Sequence, residues 1–251
     1  MTLPLFLAEG DLPGTGHRMT LAGDEGRHAA TVQRLAVGEE LLVADGAGRA
    51  VRGEVVATAK SSLELEVLET LAEEAPTPRF ELVQALAKAG RAEQSLETSV
   101  ELGVDVVVPW QADRSISRWA GPKAEKGRAK WQHVVRAATK QARRFREAPV
   151  EELVTSPGLV ERVRAGAERG ELTLVLHEVA TDPLLQVVER TGAAEASLVR
   201  LVIGPEGGIS PEEIDALVAA GGHPVVLGPH VLRTSTAGPA ALAVLGALTR
   251  W

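Results

Sequence analysis

The chain has 251 residues, 45% hydrophobic and 24% charged, with a mean hydropathy of +0.03, the profile of a folded soluble protein rather than a disordered, fibrous or membrane one. It contains no cysteine, which excludes disulfides, thiolate catalysis and cysteine-held zinc or iron–sulfur centres. The net charge of −7 conceals an asymmetry: residues 114–146 hold 11 lysines and arginines against one acid, Glu125, and carry +10. A dense positive field inside an acidic chain is the footprint of a polyanion site.

In chain order, residues 3–8, 40–45, 50–57 and 63–68 predict short strands, with Asp45-Gly46-Ala47-Gly48 as a hairpin turn and residues 24–35 as the one helix among them. No basic residue precedes the apolar patch at 3–8, and Glu9 and Asp11 follow it, which is not the pattern of a signal peptide. The twice-proline stretch 73–78, Glu-Glu-Ala-Pro-Thr-Pro, is read as a linker between a domain at 1–72 and one at 79–251.

Beyond it, apolar runs at 81–86, 104–109, 172–176, 198–203 and 224–227 alternate with helical stretches at 91–102, 125–145, 158–169, 183–191, 211–220 and 236–249. That rhythm predicts an α/β fold with a mostly parallel sheet flanked by helices, whose ligands bind where strands end. The apolar stretch 237–249 is too short to span a bilayer, which takes about 20 residues; a cytoplasmic protein with no membrane partner is expected.

Residues 201–214 run from a buried strand into a glycine-rich loop and then a helix. Ser210 is the expected N-cap, Pro211 the first helical residue and Glu213 the return half of a capping box. Gly204, Gly207 and Gly208 read either as a tight turn or as bare backbone that a ligand can approach closely. Neither the Walker loop nor G-x-G-x-x-G fits this order. A second loop follows the next strand, with Thr234 or Ser235 expected to cap the last helix and Arg233 just before it, where the helix dipole favours an anion. Preceded by Val231 and Leu232, Arg233 is expected to project from a pocket wall. A third strand end brings His177 and Glu178 to the same sheet edge. The six histidines show no metal-ligand spacing, and no metal is expected.

The pair Ile203-Gly204-Pro205-Glu206-Gly207-Gly208 and Leu227-Gly228-Pro229-His230-Val231-Leu232-Arg233-Thr234-Ser235-Thr236-Ala237 resembles the C-terminal signature of the SPOUT methyltransferases, most of all the 16S ribosomal RNA uridine N3-methyltransferase family often called RsmE. Gly26-Arg27-His28, Arg34-Leu35, Val37-Gly38-Glu39 and Asp45-Gly46-Ala47-Gly48 resemble that family's N-terminal module, and Gln84-Ala85-Leu86-Ala87-Lys88, Glu101-Leu102-Gly103-Val104 and Arg114-Ser115 its middle. The resemblance implies a small PUA-like, RNA-binding β-barrel followed by a SPOUT domain with a trefoil knot, a homodimer, and S-adenosylmethionine (SAM) bound among Leu176, His177, Gly204, Gly207, Gly208, Leu227, Gly228 and Leu232. It also implies 16S rRNA, within the small ribosomal subunit, as partner. The chain departs from the pattern at Ala137-Ala138-Thr139-Lys140-Gln141, where an acid often precedes the Gln, and at Ser235, where Glu is common.

On a helix, Arg128, Arg136, Lys140, Arg143 and Arg144 form one stripe, with Trp131, Val134, Val135, Ala138, Ala142 and Phe145 on the other face. That stripe and Arg114 are the expected RNA contacts, Arg114 binding the backbone or reaching the partner subunit's pocket. Three Phe, four Trp and no Tyr argue against a base-stacking platform of the RRM or OB type. Methylating uracil N3 requires loss of its proton. Arg233 is expected to stabilise the uracil anion, Thr234 to orient the base, and Glu206 either to accept the proton or to hold its loop. The rival readings are a SPOUT enzyme acting on another rRNA or tRNA position, a non-catalytic RNA-binding assembly factor, and a nucleotide-binding α/β enzyme, the last weakened by the missing lysine.

Overall fold

The computed structural model describes residues 2–88 and 90–251. Its backbone divides into two units: one runs to Ala75 and includes Thr139–Glu147, and the other comprises Pro76–Ala138 with Ala148–Trp251.

The first unit is built on β1 (Leu5–Leu7), β2 (Arg18–Leu21), α1 (Gly23–Arg27), β3 (Glu40–Ala44), β4 (Arg49–Ala59) and β5 (Ser62–Ala72). The sheet order is β1-β3-β4-β5-β2, with β1 parallel to β3 and the other pairs antiparallel. Alternate residues of β5, Leu63, Leu65 and Val67, face one core, as a pleated strand requires. Phe6 of β1 and Leu21 of β2 join that same core. Strands at opposite ends of the sheet therefore converge, which is the curl of a barrel-like module. The Asp45–Gly48 hairpin forms as expected: the Asp45 carboxylate accepts from the Ala47 and Arg49 amides, at 2.7 and 3.0 Å, and Gly46 and Gly48 take positive φ. The sequence does not announce β2, whose four residues bury only Leu21. The expected helix at 24–35 is shorter, because α1 passes into a π-helical turn, His28–Val32, and stops at Arg34, whose φ is 57°.

The second unit contains β6 (Arg79–Ala85), α2 (Arg91–Glu101), β7 (Val106–Gln111), α3 (Pro122–Ala142), β8 (Val154–Thr155), α4 (Ser156–Glu168), β9 (Leu172–Leu176), α5 (Leu184–Thr191), β10 (Leu198–Ile203), α6 (Pro211–Ala219), β11 (Gly222–Val225) and α7 (Thr234–Thr249). All six strands are parallel, in the order β11-β9-β10-β6-β7-β8. Alternation splits each strand between two cores. Leu82 and Leu201 pack with α2, α3 and α7 residues such as Leu96, Trp131 and Leu242, while Val83 and Val202 pack with Leu159, Val163 and Leu217 of α4 and α6. Helices thus cover both faces, as a parallel sheet requires. Strand β11 ends two residues before the expected 227, because Val226 turns away to bond the 182–184 segment. Among the described residues no helix is long and apolar enough to cross a membrane.

Two expectations need correction. Helix α3 ends at Ala142, not 145, because Arg143 adopts φ 56°. And residues 139–147 group with the first unit rather than with the rest of 79–251. The Glu73 carboxylate accepts from the Phe145 and Arg146 amides, at 2.7 and 3.2 Å, Gly48 donates to the Phe145 carbonyl, and Lys140 pairs with Glu25.

Near the amino ends of the strands, Glu81 of β6 and Arg200 of β10, each 1% exposed, form an ion pair, with Arg162 on the same carboxylate and Glu171 and Thr173 on the same guanidinium. Burial pushes the Glu171 carboxyl up, but hydrogen bonds from Arg200 and Arg169 outweigh it and hold its pKa below the ordinary 4.5. A depressed carboxyl stabilises the fold above its unfolded value and loses that contribution as pH falls, so the Glu171–Arg200 contact weakens below about pH 4.5. Replacing Arg200 by Met leaves Glu81 buried with one partner fewer. We expect urea denaturation to show a loss of about 3 kcal/mol, and an unchanged midpoint would contradict the assignment.

Candidate functional site

Strands β9, β10 and β11 are adjacent and parallel, so their carboxyl ends meet at one edge of the sheet. A cavity of about 540 Å³ opens there, within the range of small-molecule sites. Its walls come from Leu176 and His177 after β9, Gly204, Pro205 and Gly208 after β10, Val226 and Leu227 after β11, and Val231, Leu232 and Thr234 leading into α7. Of the eight expected ligand-binding residues, Leu176, His177, Gly204, Gly208, Leu227 and Leu232 line it; Gly207 and Gly228 do not.

The glycines answer first to the fold. A Cβ on Gly204 would lie 2.7 Å from Ile209 Cγ1, one on Gly207 would lie 3.2 Å from the Arg114 backbone oxygen, and Gly208 has φ +75°. The tight-turn reading therefore accounts for all three without a ligand. Ile209, buried beneath the loop, is the partner that excludes a side chain at 204. Nothing lies within 4 Å of a Cβ on Gly228.

The helix after the β10 loop starts as expected. Ser210 Oγ accepts from the Glu213 amide at 3.2 Å and the Glu213 carboxylate accepts from the Ser210 amide at 2.9 Å. Glu213 is buried and also accepts from the Asp113 amide at 2.8 Å, tying the loop after β7 to α6. The start of α7 differs from expectation. Neither Thr234 nor Ser235 caps it: Arg233 is the N-cap residue, without a side-chain capping bond, and Thr234 is already helical. The Thr234 hydroxyl instead donates to the Gly204 carbonyl at 2.7 Å and accepts from Gln84 Nε2 at 2.9 Å. A helical conformation at 234 turns that hydroxyl from its own helix toward the β10 loop.

Of the three residues assigned to chemistry, only Thr234 lines the cavity. Arg233 is exposed and absent from the cavity wall. Glu206 accepts from the Lys88 amide at 3.0 Å and from Arg91 Nη1 at 3.1 Å, so its carboxylate joins the β10 loop to the start of α2. These are the contacts of a loop-holding residue. Arg114 reaches the cavity from the loop after β7, with Nη1 3.3 Å from the Gly207 carbonyl it donates to.

The basic stripe is only partly a surface. Arg128 Nε donates to the Val150 carbonyl at 2.8 Å, Lys140 is ion-paired with Glu25 at 2.9 Å, Arg143 donates to the Thr2 carbonyl, and Arg136 and Arg144 are half-buried. Because α3 ends at Ala142, Arg143 and Arg144 leave the helical row. The opposite face does pack as read: Trp131, Val135 and Ala138 are buried. Glu178, read from the sequence as lying at this sheet edge, does line the cavity; sequence reasoning missed Val179 and Ala180 after β9, Ile214 and Asp215 of α6, and the part played by Gln84 of β6. The α6 pair had a usable signal, since a helix following a ligand loop presents its first turn to that ligand. Among the described residues no three His, Asp or Glu side chains are placed to hold a metal.

The glycine geometry makes opposite predictions for two substitutions. Gly204→Ala must displace Ile209 and should cost about 1–3 kcal/mol in chemical denaturation, whereas Gly228→Ala should stay within about 0.5 kcal/mol of the parent. Equal effects would contradict this account of the loop.

Residues 73–246 match the family model of an RNA methyltransferase domain, and residues 21–68 that of an RNA methyltransferase PUA domain. The ribosomal RNA small subunit methyltransferase E of Mycobacterium bovis is 44% identical, over 100% of this chain and 94% of that protein. The protein of the same name from Synechocystis is 33% identical, over 92% of this chain and 73% of its own. The crystal structure of ribosomal RNA small subunit methyltransferase E from Neisseria gonorrhoeae, bound to S-adenosyl methionine, superposes with a TM-score of 0.87 at 26% identity, covering 99% of this chain and 98% of that one. A methyltransferase of Legionella pneumophila in complex with SAM gives 0.85 at 27% identity, covering 99% of each chain. A glycine-lined cavity where parallel strands end, in a domain that matches RNA methyltransferases over most of its length, places the chain in the ribosomal RNA small subunit methyltransferase E family.

Proposed function

We propose that the protein methylates N3 of a uridine in 16S ribosomal RNA, within the small subunit, with SAM as donor. The observation that carries this reading is the cavity itself: apolar walls and glycine backbone at three strand ends, with Arg114 as its one lysine or arginine among the described residues. SAM has no phosphate for a lysine to hold. It does carry a sulfonium, an ammonium and a carboxylate, and so a net positive charge. In the cavity wall Glu178 and Asp215 outnumber Arg114, which favours a net cation. Leu176, Leu227 and Leu232 suit the adenosine, and the Gly204 and Gly208 backbone suits its polar edges. Bound there, SAM supplies an electrophilic methyl group on a good leaving group.

The protein's part is to hold a uracil in line with that methyl and to stabilise the charge left as the N3 proton departs. Arg233 fits the second role. It stands at the amino end of α7, exposed, and among the described residues it has no carboxylate partner. Thr234 has committed its only proton to Gly204, so it meets a base only as an acceptor or through its methyl group. Glu206 holds the loop in this reading, rather than taking the proton. Arg114 and the basic segment from Arg128 to Arg144 supply phosphate contacts, and the N-terminal PUA-like unit adds further RNA surface. A homodimer belongs to the same reading. It is supported by Val179 and Val231, apolar rim residues that are 73% and 74% exposed, which a second copy would cover.

The test is methyl transfer from labelled SAM to small subunits lacking the modification, with nucleoside mass spectrometry of the product. One 3-methyluridine is expected. Arg233→Ala should slow transfer by about 100-fold or more while calorimetry shows SAM affinity within about two-fold of the parent. A methyl group on another atom, no transfer despite SAM binding, or an unimpaired Arg233→Ala variant would overturn the proposal.

A further inference from the structure

We infer that Gln84 is a positioning residue for donor binding: its buried amide sets the direction of a hydrogen-bond relay that clamps the β10 loop to the first turn of α7. The inference rests on reading the cavity as the SAM site, and it assigns a role to a residue outside the cavity wall.

Gln84 is the penultimate residue of β6, 0% exposed, opposite Ile203 of β10 and Pro109 of β7. A buried amide survives only if its donors and acceptor are paired. Here Oε1 accepts from Ser95 Oγ of α2 at 2.8 Å, and Nε2 donates to the Ala85 carbonyl at 3.2 Å and to Thr234 Oγ1 at 2.9 Å. Thr234 in turn donates to the Gly204 carbonyl at 2.7 Å. Two of the acceptors, Ala85 and Gly204, are backbone carbonyls, which only accept. The Ala85 oxygen requires the NH₂ end of the amide on its side, and the Gly204 oxygen takes the single hydroxyl proton of Thr234. Every proton therefore has one place, and the relay runs from Ser95 through Gln84 and Thr234 to Gly204.

The terminal acceptor makes the relay matter. The Gly204 carbonyl belongs to the peptide that precedes Pro205, and proline contributes no N–H. That carbonyl is the only hydrogen-bonding group the peptide has, and it is joined on one side to a glycine, the least restricted of residues. Thr234 is its described partner. Lose the direction of the relay and the peptide plane that shapes the cavity at the end of β10 has no tether.

Gln84→Glu tests this at constant shape. An ionised carboxylate still accepts from Ser95 but cannot donate, so it draws the Thr234 proton away from Gly204; protonated, it donates again. Burial raises the pKa of such a carboxyl, and the side chains around the position, Ser95, Thr234, Pro109 and Ile203, do not titrate in this range. Arg114, His177, Glu178, Asp215 and His230 of the cavity wall are common to parent and variant, so their contribution cancels in the ratio. The SAM Kd of Gln84→Glu relative to the parent, by calorimetry, should rise from within about two-fold near pH 5.5 to about ten-fold or more near pH 8.5. If that variant does not fold, Thr234→Ser should bind SAM within about three-fold of the parent and Thr234→Val about ten-fold more weakly. A merely structural residue would shift the melting temperature without a pH-dependent affinity ratio. A flat ratio, or Thr234→Val binding as tightly as Thr234→Ser, would overturn the inference. A parent protein that does not bind SAM overturns the reading of the cavity itself, and the parent titration alone reveals it.

Discussion

The cavity exists because three parallel strands end level. Leu176 lies opposite Ile203 on one side and Val225 on the other, and the chain leaves the sheet at all three positions within a residue or two. In a parallel sheet a one-residue slip would exchange the two faces of a strand. Here it would put Val202 where Leu201 belongs and move the Gly204 bend out of the wall. Register is secured twice over: by two-sided burial along β9 and β10, and by the Glu81–Arg200 pair that joins β6 to β10 near their amino ends. The end of the sheet that carries the cavity is thus aligned by interactions at the end that does not.

The loops around the cavity are held by polar contacts between segments far apart in sequence. Glu206 reaches the start of α2, Glu213 the loop after β7, and Thr234 the ends of β6 and β10. Each anchor spends a side chain that, read locally, looks available for catalysis or capping. What is left over is small: the apolar wall, Glu178 and Asp215 within it, and Arg233 at the start of α7. That division suits a reaction whose leaving group needs no acid and whose main demand is alignment.

Much of the fold was legible because the second unit is buried on both faces of its sheet. Runs such as Leu198–Ile203 admit few readings, and Ser210, Pro211 and Glu213 spell out a helix start. The elements that escaped, β2 and β8, are short or polar: β2 buries only Leu21, and β8 has two residues. The end of α3 was overrun because Arg143 takes a left-handed conformation that its side chain does not advertise. The glycines were legible as a turn, but the reason for Gly204, a clash with Ile209, lies in the tertiary packing. Gln84 was opaque altogether, since its meaning comes from Thr234, 150 positions away.

The central claim is that main chain and apolar side chains at the ends of β9, β10 and β11 enclose the methyl donor. Amide hydrogen exchange, measured with and without saturating SAM, tests it directly. The account predicts slowed exchange concentrated in residues 176–180, 204–209 and 226–234, with the basic segment 122–142 unaffected by SAM alone. Saturable binding that leaves those three segments unprotected, or that protects a different part of the chain, would contradict it.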